Sequence, residues 1–392
     1  MANEDTRHPR QASPLSITVA GILSLAVAMG IGRFAFTPLL PLMIQEGQLD
    51  LAAGGWIAAA NYAGYLVGAL TASRLRWSAV RLGTVALVMT AVLTAAMALP
   101  LSPWAWGLMR FAAGVCSAWA FVATAIWCLG ALAASGHTHR GGAVYSGVGL
   151  GIAAAGLYCL AASALGANAP AAWVQLGVFA GVLIVPVALV LRHLHTQTPA
   201  RAETSSRAQA PAGLRSLVIC YGMLGFGYIL PATFLPVMAR SLVSDPRLFG
   251  LAWPVFGITA GLSTFIAGWV MRHASRIQVW AVSNVIMGVG VLLPSVWLNG
   301  ATVALSALMV GGTFMIVTMA GVQEVRARAV GDATPLVARM TSAFALGQIA
   351  GPIASSLLLH VPRFAQSGLN VALQIAAVTL FVSAAWLWRA SA

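Results

Sequence analysis

The stretch GIGRFAFTPLLPLM, from Gly30 to Met43, decides the fold class because it lies in an apolar run long enough to cross a membrane. A bilayer core about 30 Å thick requires roughly 20 apolar residues in a helix. Arg33 interrupts this run, and a charged side chain at the bilayer centre costs about 2.5–3.5 kcal/mol on insertion scales. We therefore expect Arg33 to face the protein interior, and we treat it as a candidate functional residue.

The composition extends this conclusion to the whole chain. Of its 392 residues 60% are hydrophobic and only 7% are charged, and the mean hydropathy of +0.88 is far above that of a soluble domain. At roughly 32 residues for one span and its loop, the length allows about twelve spans. The formal net charge of +13 would favour nucleic acid in a soluble chain. Here the arginines lie in short loops between apolar runs, so no nucleic-acid partner is expected.

Apolar runs between polar or Pro/Gly breaks predict an all-α polytopic membrane protein with twelve transmembrane helices. They cover 15–43, 53–73, 82–99, 104–134, 142–166, 171–191, 215–239, 249–271, 278–298, 302–323, 340–360 and 369–388. The predicted organisation is therefore two six-helix bundles with a linker and two tails. These are a tail at 1–14, an N-terminal bundle at 15–191, a linker at 192–214, a C-terminal bundle at 215–388 and a tail at 389–392.

The distribution of arginine predicts the orientation in the membrane. Sixteen of the 21 basic residues, Arg74 and Arg76 among them, fall on the side that holds both termini and the linker. Three fall on the other side, which leaves Arg33 and Arg110 within the membrane. Because cytoplasmic loops carry the excess of basic residues, both termini and the linker are predicted to be cytoplasmic. All 21 basic residues are arginine, which is typical of the coding bias of a GC-rich bacterium, so we expect a bacterial inner membrane.

The two halves of the chain repeat each other. A shift of 195 aligns Gly30 with Gly225, Gly32 with Gly227, Leu40 with Leu235, Pro41 with Pro236 and Met43 with Met238. Six helices return the chain to its starting side, so a pseudo-two-fold axis along the membrane normal relates the halves, as in transporters that work by alternating access. Pro41 and Pro236 are candidate gating residues because proline breaks helical hydrogen bonding.

This architecture resembles the major facilitator superfamily, and the resemblance covers the whole chain. The helix 1 stretch, followed by Gly-Tyr at 64–65 and Gly-Ala at 68–69 in helix 2, is similar to the bacterial YbfB/YjiJ group of that superfamily. The resemblance implies a transporter whose helices 1, 4, 7 and 10 line a central cavity, and it implies no settled substrate. Between helices 2 and 3 the chain departs from the superfamily pattern, with Ser73 where an Asp is usual, although Arg74 and Arg76 keep the basic part.

Two arginines at similar depth form the predicted substrate site. Arg33 and Arg110 both lie in the outer half of the N-terminal bundle, and all eight carboxylates fall in loops, termini or last turns of helices. A guanidinium offers a planar fork to a carboxylate or phosphate, so an unpaired pair favours a small organic anion as substrate. Further candidate substrate-binding residues are Thr37, Asn61, Tyr65 and Tyr228.

A structural alternative accompanies each of these assignments. Arg110 could equally serve a structural or gating role, bonded to backbone carbonyls freed near Gly30, Gly32 or Pro38. Amides at membrane depth, including Gln348, more often join helices than bind substrate. The repeat places Tyr228 and Val310 where the first half has the two arginines, which predicts one charged bundle and one aromatic, less polar wall. Trp253 and Phe256 are among the candidates for lining a cavity.

Energy coupling is less well indicated. Glu324, at the end of helix 10, is the best carboxylate for proton coupling, but with Arg328 four residues on it also fits a surface ion pair. Arg74 and Arg76 are further coupling or gating candidates, beside Pro41 and Pro236. An anion that brings its own charge to an arginine needs no internal carboxylate, so uniport, exchange and symport with a proton all remain open.

Two other functions are weighed against anion transport. One is an efflux pump for hydrophobic neutral or cationic compounds, and the other is a membrane sensor that transports nothing. No zinc-type His/Glu spacing, Ser/His pair or paired carboxylates occur at membrane depth, so no enzyme activity is expected. The four cysteines lie in apolar runs without a C-x-x-C pair, and neither a metal nor a cofactor is predicted.

Overall fold

The computed structural model describes residues 13–72, 74–137, 140–194, 214–242, 250–328 and 334–391, without the side chains of 334–335 and 390–391. Within these ranges the chain forms twelve long helices and no strand. They are α1 (Pro14–Gln45), α2 (Leu51–Ala72), α3 (Ala79–Ala96), α4 (Pro103–Ala134), α5 (Gly141–Ala164), α6 (Ala169–His193), α7 (Leu214–Leu242), α8 (Ala252–Val270), α9 (Arg276–Val296), α10 (Gly300–Arg328), α11 (Thr334–His360) and α12 (Gly368–Ser391). The predicted fold class is confirmed.

Eleven of these helices are long and apolar enough to cross a membrane. The described helix outside that set is α2, whose 22 residues include four glycines, two tyrosines and Asn61. It packs between α4 and α11, so protein rather than lipid covers much of its surface. A helix in that position does not need to be apolar on every face.

The predicted helix bounds differ from the observed ones mainly at one end of the molecule. The helix predicted at 302–323 continues to Arg328, and the one predicted at 340–360 begins at Thr334. Charged residues end an apolar run without ending the helix, because the backbone keeps its hydrogen bonds beyond the membrane. Residues 1–12 and 195–213, which hold most of the predicted tail and linker, lie outside the described residues.

Short connections make consecutive helices antiparallel, so the molecule has two ends. We call the end at Pro14, His193 and Leu214 the linker face, and the end at Gln45 and His360 the opposite face. In each bundle the first helix packs against several others: α1 contacts α4, α5 and α6, and α7 contacts α10, α11 and α12, so we call α1 and α7 the central helices.

The packing inside the two bundles repeats the sequence alignment. A Cβ added to Gly30 of α1 would lie 2.2 Å from the backbone carbon of Gly151 in α5. A Cβ added to Gly225 of α7 would lie 2.2 Å from the backbone oxygen of Phe344 in α11. In both bundles the backbones therefore touch at a position where only glycine fits, as is common between membrane helices.

Two helix pairs join one bundle to the other. In the α5–α8 pair, a Cβ on Gly257 would lie 2.4 Å from the backbone nitrogen of Ala153. In the α2–α11 pair, a Cβ on Gly55 would lie 2.1 Å from the Ser356 hydroxyl, which donates a 3.0 Å hydrogen bond to the Ala52 carbonyl. Small residues thus bring the bundles into backbone contact.

The bundles also meet where α1 crosses α7. The Thr37 hydroxyl donates to the Ala232 carbonyl at 3.1 Å, and these two residues are separated by 195 positions, the shift of the repeat. A residue that touches its own counterpart lies on the axis that relates the halves. Tyr62 and Thr233 add a hydroxyl–hydroxyl bond of 3.0 Å beside this point.

Candidate functional site

The helix α1 is interrupted at the centre of the molecule. Residues Ala26–Ile31 form a π-helical turn, and 32–35 form an irregular turn before the α-helix resumes. The Thr37 N–H donates to the Phe34 carbonyl at 3.2 Å, and not to the Arg33 carbonyl four residues earlier. Pro38, which has no N–H and clashes with the preceding turn, follows at once. The interruption therefore frees backbone carbonyls in the protein interior.

Arg110 of α4 occupies these free carbonyls. Its two terminal nitrogens donate to the Gly32 carbonyl at 2.9 Å and to the Arg33 carbonyl at 2.7 Å. The backbone carbonyl of Arg110 in turn accepts a 2.8 Å hydrogen bond from the Asn61 side chain of α2. The Arg110 side chain is buried, and its guanidinium lies 5.6 Å from the centre of the Phe36 ring. It thus joins α1, α2 and α4 into one unit.

Arg33 itself points across the junction between the bundles. Its Nη2 donates a hydrogen bond to the Gln348 side-chain oxygen in α11, and its Nε has no hydrogen-bond partner within the described residues. The guanidinium carbon lies 4.0 Å from the centre of the Tyr65 ring, with Tyr62 and Phe34 at 5.4 and 5.3 Å. Aromatic faces stabilise a cation, and more so when it is desolvated.

No carboxylate among the described residues neutralises this charge. The salt bridges of the described chain join Glu324 to Arg328 at 2.6 Å and to Arg276 at 3.9 Å, at the linker face. Arg33 is only 4% exposed, and its hydrogen-bond acceptor is a neutral amide. An uncompensated buried charge is unfavourable, and here only the aromatic rings and this neutral amide offset it.

A row of aromatic rings from the C-terminal bundle adjoins Gln348. The Gln348 side-chain nitrogen donates to the Tyr228 hydroxyl, and the Tyr228 ring stacks between Phe314 at 5.4 Å and Phe344 at 5.5 Å. Trp253 and Phe256 continue the stack, with ring centres 5.0 Å apart and Phe256 5.7 Å from Phe314. We call Trp253, Phe256, Phe314, Tyr228 and Phe344 the aromatic wall.

The structure brings three of the six predicted binding residues together at this junction. Arg33 and Tyr228 both bond to Gln348, and Tyr65 packs against the Arg33 guanidinium. Arg110 lies behind α1 and bonds to its carbonyls, and Asn61 bonds to the Arg110 backbone. Of the coupling and gating candidates, Glu324 lies at the linker face, where Arg74 and Arg76 are exposed, and Pro41 and Pro236 are buried in α1 and α7. Ser73 lies outside the described residues.

The sequence placed Gln348 at membrane depth but did not single it out. Its neighbour Gly347 follows Gly151 by 196 residues, close to the shift of 195 that relates the two halves, and this signal was available in the sequence. Its pairing with Arg33 joins residues 315 positions apart, so it depends on how the bundles meet. No group of three or more potential metal ligands occurs in the part of the chain that the structure describes.

Comparison with known proteins supports this fold along nearly its whole length. The family described as "Uncharacterised MFS-type transporter YbfB" matches residues 25–387. No curated protein matches the sequence. Among solved structures, a nucleoside transporter, NupG, is 13% identical with a TM-score of 0.70, and 96% of this chain and 98% of that one are covered.

Two further structures share the fold. A D-xylose–proton symporter is 13% identical with a TM-score of 0.74, covering 96% of this chain and 98% of that one. A bacterial homologue of the human lysosomal transporter Spinster, inward-facing and occupied, is 16% identical with a TM-score of 0.67, covering 96% of each chain. At such low identity these likenesses concern the fold alone. The family match extends over most of the sequence, and the protein is therefore a multi-pass membrane transporter that belongs to the YbfB-type family of the major facilitator superfamily.

Proposed function

We propose that this transporter moves a small organic anion across the bacterial inner membrane by alternating access, and that Arg33 binds the anion. The observation that carries the proposal is a guanidinium buried between the bundles with no described carboxylate in contact and with Nε unpartnered. A carboxylate or phosphate would accept two parallel N–H bonds from such a fork and neutralise it.

Gln348 supplies a link between substrate binding and the motion of the bundles. Its oxygen occupies one donor of Arg33, so an anion at Arg33 competes with it. Arg33 belongs to the N-terminal bundle and Gln348 to the C-terminal one, so this competition weakens a contact that joins them. A ligand that binds one arrangement of the bundles better than the other shifts the population between them.

The described hydrogen bonds between bundles support access from the linker face. Besides Arg33–Gln348, they join Thr37 to Ala232, Tyr62 to Thr233 and Ser356 to Ala52. These contacts lie from the middle of the helices to the opposite face. By the positive-inside rule the linker face is the cytoplasmic one, so in this state Arg33 is closed off from the outside.

The other candidate residues receive supporting roles in this proposal. Tyr65 packs against the guanidinium, Tyr228 orients Gln348 through its hydroxyl, and Arg110 keeps the interruption of α1 in place. Glu324 contacts Arg328 of its own helix and Arg276 of α9, which supports a clamp within one bundle. Because the substrate neutralises Arg33, uniport, exchange and symport with a proton are all compatible with the site.

Thermal-shift measurements on the purified protein test the anion site. We expect organic acids to raise the melting temperature of the wild type and of Arg81→Gln, an exposed arginine at the linker face, but not of Arg33→Gln. A cooperative melt of Arg33→Gln without ligand shows that the variant folds. Uptake of the stabilising acid into proteoliposomes then tests transport.

The aromatic wall favours a second candidate function, efflux of hydrophobic neutral or cationic compounds. Ring faces bind cations and apolar groups without any need for Arg33. If cationic dyes stabilise both the wild type and Arg33→Gln, and acids stabilise neither, the anion proposal is wrong and the efflux function takes its place.

A further inference from the structure

An apolar groove opens between α2, α4 and α11 at the outer surface of the molecule. It has a volume of about 650 Å³, and helices of both bundles line it. Small residues form much of its lining, among them Ala53, Ala60, Ala63 and Gly107. The large residues Trp104 and Leu108, which also line it, are 87% and 72% exposed. In a membrane protein such exposed apolar side chains face lipid, so the groove is open to the bilayer.

The length of the groove matches one leaflet. Along α2 it extends from Asp50, at the opposite face, to Ala63. Thirteen residues of helix span about 20 Å at 1.5 Å per residue. Half of a hydrocarbon core about 30 Å thick is about 15 Å, so the groove covers one leaflet and a few ångströms of the head-group region. A groove of this length accommodates an acyl chain of a lipid whose head group lies at the opposite face.

The polar end of the groove offers hydrogen-bond acceptors. One Asp50 carboxylate oxygen accepts the Ala53 N–H at 2.7 Å, and the carboxylate makes no salt bridge within the described chain. His360 Nδ1 lies 2.7 Å from the Ser356 carbonyl. A carbonyl only accepts, so Nδ1 carries a hydrogen, and Nε2 is the ring nitrogen that can accept at the rim.

We propose that this groove binds a phospholipid from the leaflet at the opposite face, with an acyl chain against α2, α4 and α11 and a primary ammonium head group at Asp50. A primary ammonium has three N–H donors for the acceptors at the rim. A quaternary ammonium has none, and a head group of net negative charge is repelled by Asp50.

The groove also distinguishes conformations of the transporter. Ile349 and Ile353 of α11 form one wall, and α2 and α4 of the other bundle form the rest. The Ser356–Ala52 hydrogen bond joins these walls beside the groove. The lipid therefore bridges the two bundles while the opposite face is closed, and separation of the bundles at that face removes the site. Bound lipid favours the closed arrangement.

A pair of glycine substitutions tests the acyl-chain site. A Cβ on Gly107 of α4, or on Gly181 of α6, meets no atom within 4 Å, so both sites accept a larger side chain. Gly107→Trp fills the groove, and Gly181→Trp adds the same bulk on α6, away from it. After mild detergent washing, we expect the lipid retained in native mass spectra to fall by about tenfold in Gly107→Trp relative to wild type and Gly181→Trp. Equal retention in all three proteins overturns the proposal.

A charge substitution tests the head group. Asp50→Asn removes the charge and keeps a side-chain acceptor for the Ala53 N–H, since asparagine also caps helices well. In nanodiscs with equal phosphatidylethanolamine, phosphatidylcholine and phosphatidylglycerol, we expect wild type to retain the first preferentially and Asp50→Asn to lose that preference. An unchanged preference contradicts the ammonium site. If Gly107→Trp loses transport of a hydrophobic solute while lipid retention is unchanged, the groove is a solute path and the lipid proposal is wrong.

Discussion

The central helices of the two bundles have the same packing but different backbones. Gly30 of α1 and Gly225 of α7 each touch the backbone of the helix beside them. Yet α1 is interrupted at 32–35, whereas α7 is helical throughout the equivalent residues 227–230. The counterpart of Arg110 is Val310 in α10, because each follows a Leu-Met pair. The Val310 side chain is fully buried.

This difference shows why one bundle carries charge and the other does not. In α7 the prolines Pro231 and Pro236 have no N–H for the Gly227 and Ala232 carbonyls, and the Ala232 carbonyl accepts from Thr37 instead. The interruption of α1 leaves the adjacent Gly32 and Arg33 carbonyls without helical donors, and Arg110 supplies them. The interruption also presents Arg33 to the junction, where the other half has Tyr228. Gln348 connects these two unlike counterparts. The two bundles thus share their helix packing and differ at the level of Arg33, Arg110 and their counterparts.

The largest expected effect follows from replacing Arg110 of the first bundle by valine, the residue at the equivalent position of the second. Arg110→Val leaves the Gly32 and Arg33 carbonyls without donors, at about 1–3 kcal/mol for each unsatisfied group. We expect a strong loss of thermal stability and of monodisperse protein, measured by melting and size-exclusion chromatography. Arg81→Val, an exposed position, is the control. Equal melting of the two variants would show that the interruption does not need Arg110.

A second substitution sharpens the contrast at the junction. Gln348→Glu places a carboxylate against Arg33, and a hydrogen bond to a charged group is worth about 1.5–3 kcal/mol. We expect a higher melting temperature, loss of stabilisation by organic acids and transport lowered by about ten- to a hundredfold, since the bundles are held together. Gln278→Glu, at an exposed position in the first turn of α9 at the linker face, is the matched control. Full transport by Gln348→Glu would mean that this contact is not broken in the cycle.

A third test concerns what the two bundles share. Gly30→Ala and Gly225→Ala each force a Cβ to within 2.2 Å of backbone, and overpacking typically costs about 1–3 kcal/mol. We expect similar losses of melting temperature in both. Gly181→Ala, with open space around the added carbon, should be neutral or slightly stabilising. A loss confined to one bundle would break the symmetry of the scaffold.

The smallest expected effect is at Tyr228. Tyr228→Phe keeps the stacking with Phe314 and Phe344 and removes the hydroxyl that accepts from Gln348, at about 0.5–1.5 kcal/mol. We expect near-normal stability with weaker anion binding, measured by titration calorimetry. Phe344→Leu, which alters the stack and leaves the hydroxyl, is the comparison. Unchanged affinity in Tyr228→Phe would remove Tyr228 from the proposed site.

The transmembrane architecture could be predicted because it depends on local properties of the chain. Apolar runs indicated the twelve helices within a few residues at most ends, and α2 was found despite its glycines and Asn61 because polar loops flank it. The match of Gly30 with Gly225 predicted the repeat that the packing shows. The interruption of α1 was not predicted as such, because proline also occurs within the uninterrupted α7.

The sequence by itself determined that the chain is a two-fold repeated membrane protein with two arginines at membrane depth. Hydropathy and self-similarity depend only on the order of the residues. Only the tertiary structure decided how those arginines differ. The two terminal nitrogens of Arg110 both donate to carbonyls of α1, and Arg33 has one neutral partner from the other bundle. The reason is physical, because a hydrogen-bond partner 315 residues away is selected by how two bundles pack, and no local pattern encodes that contact.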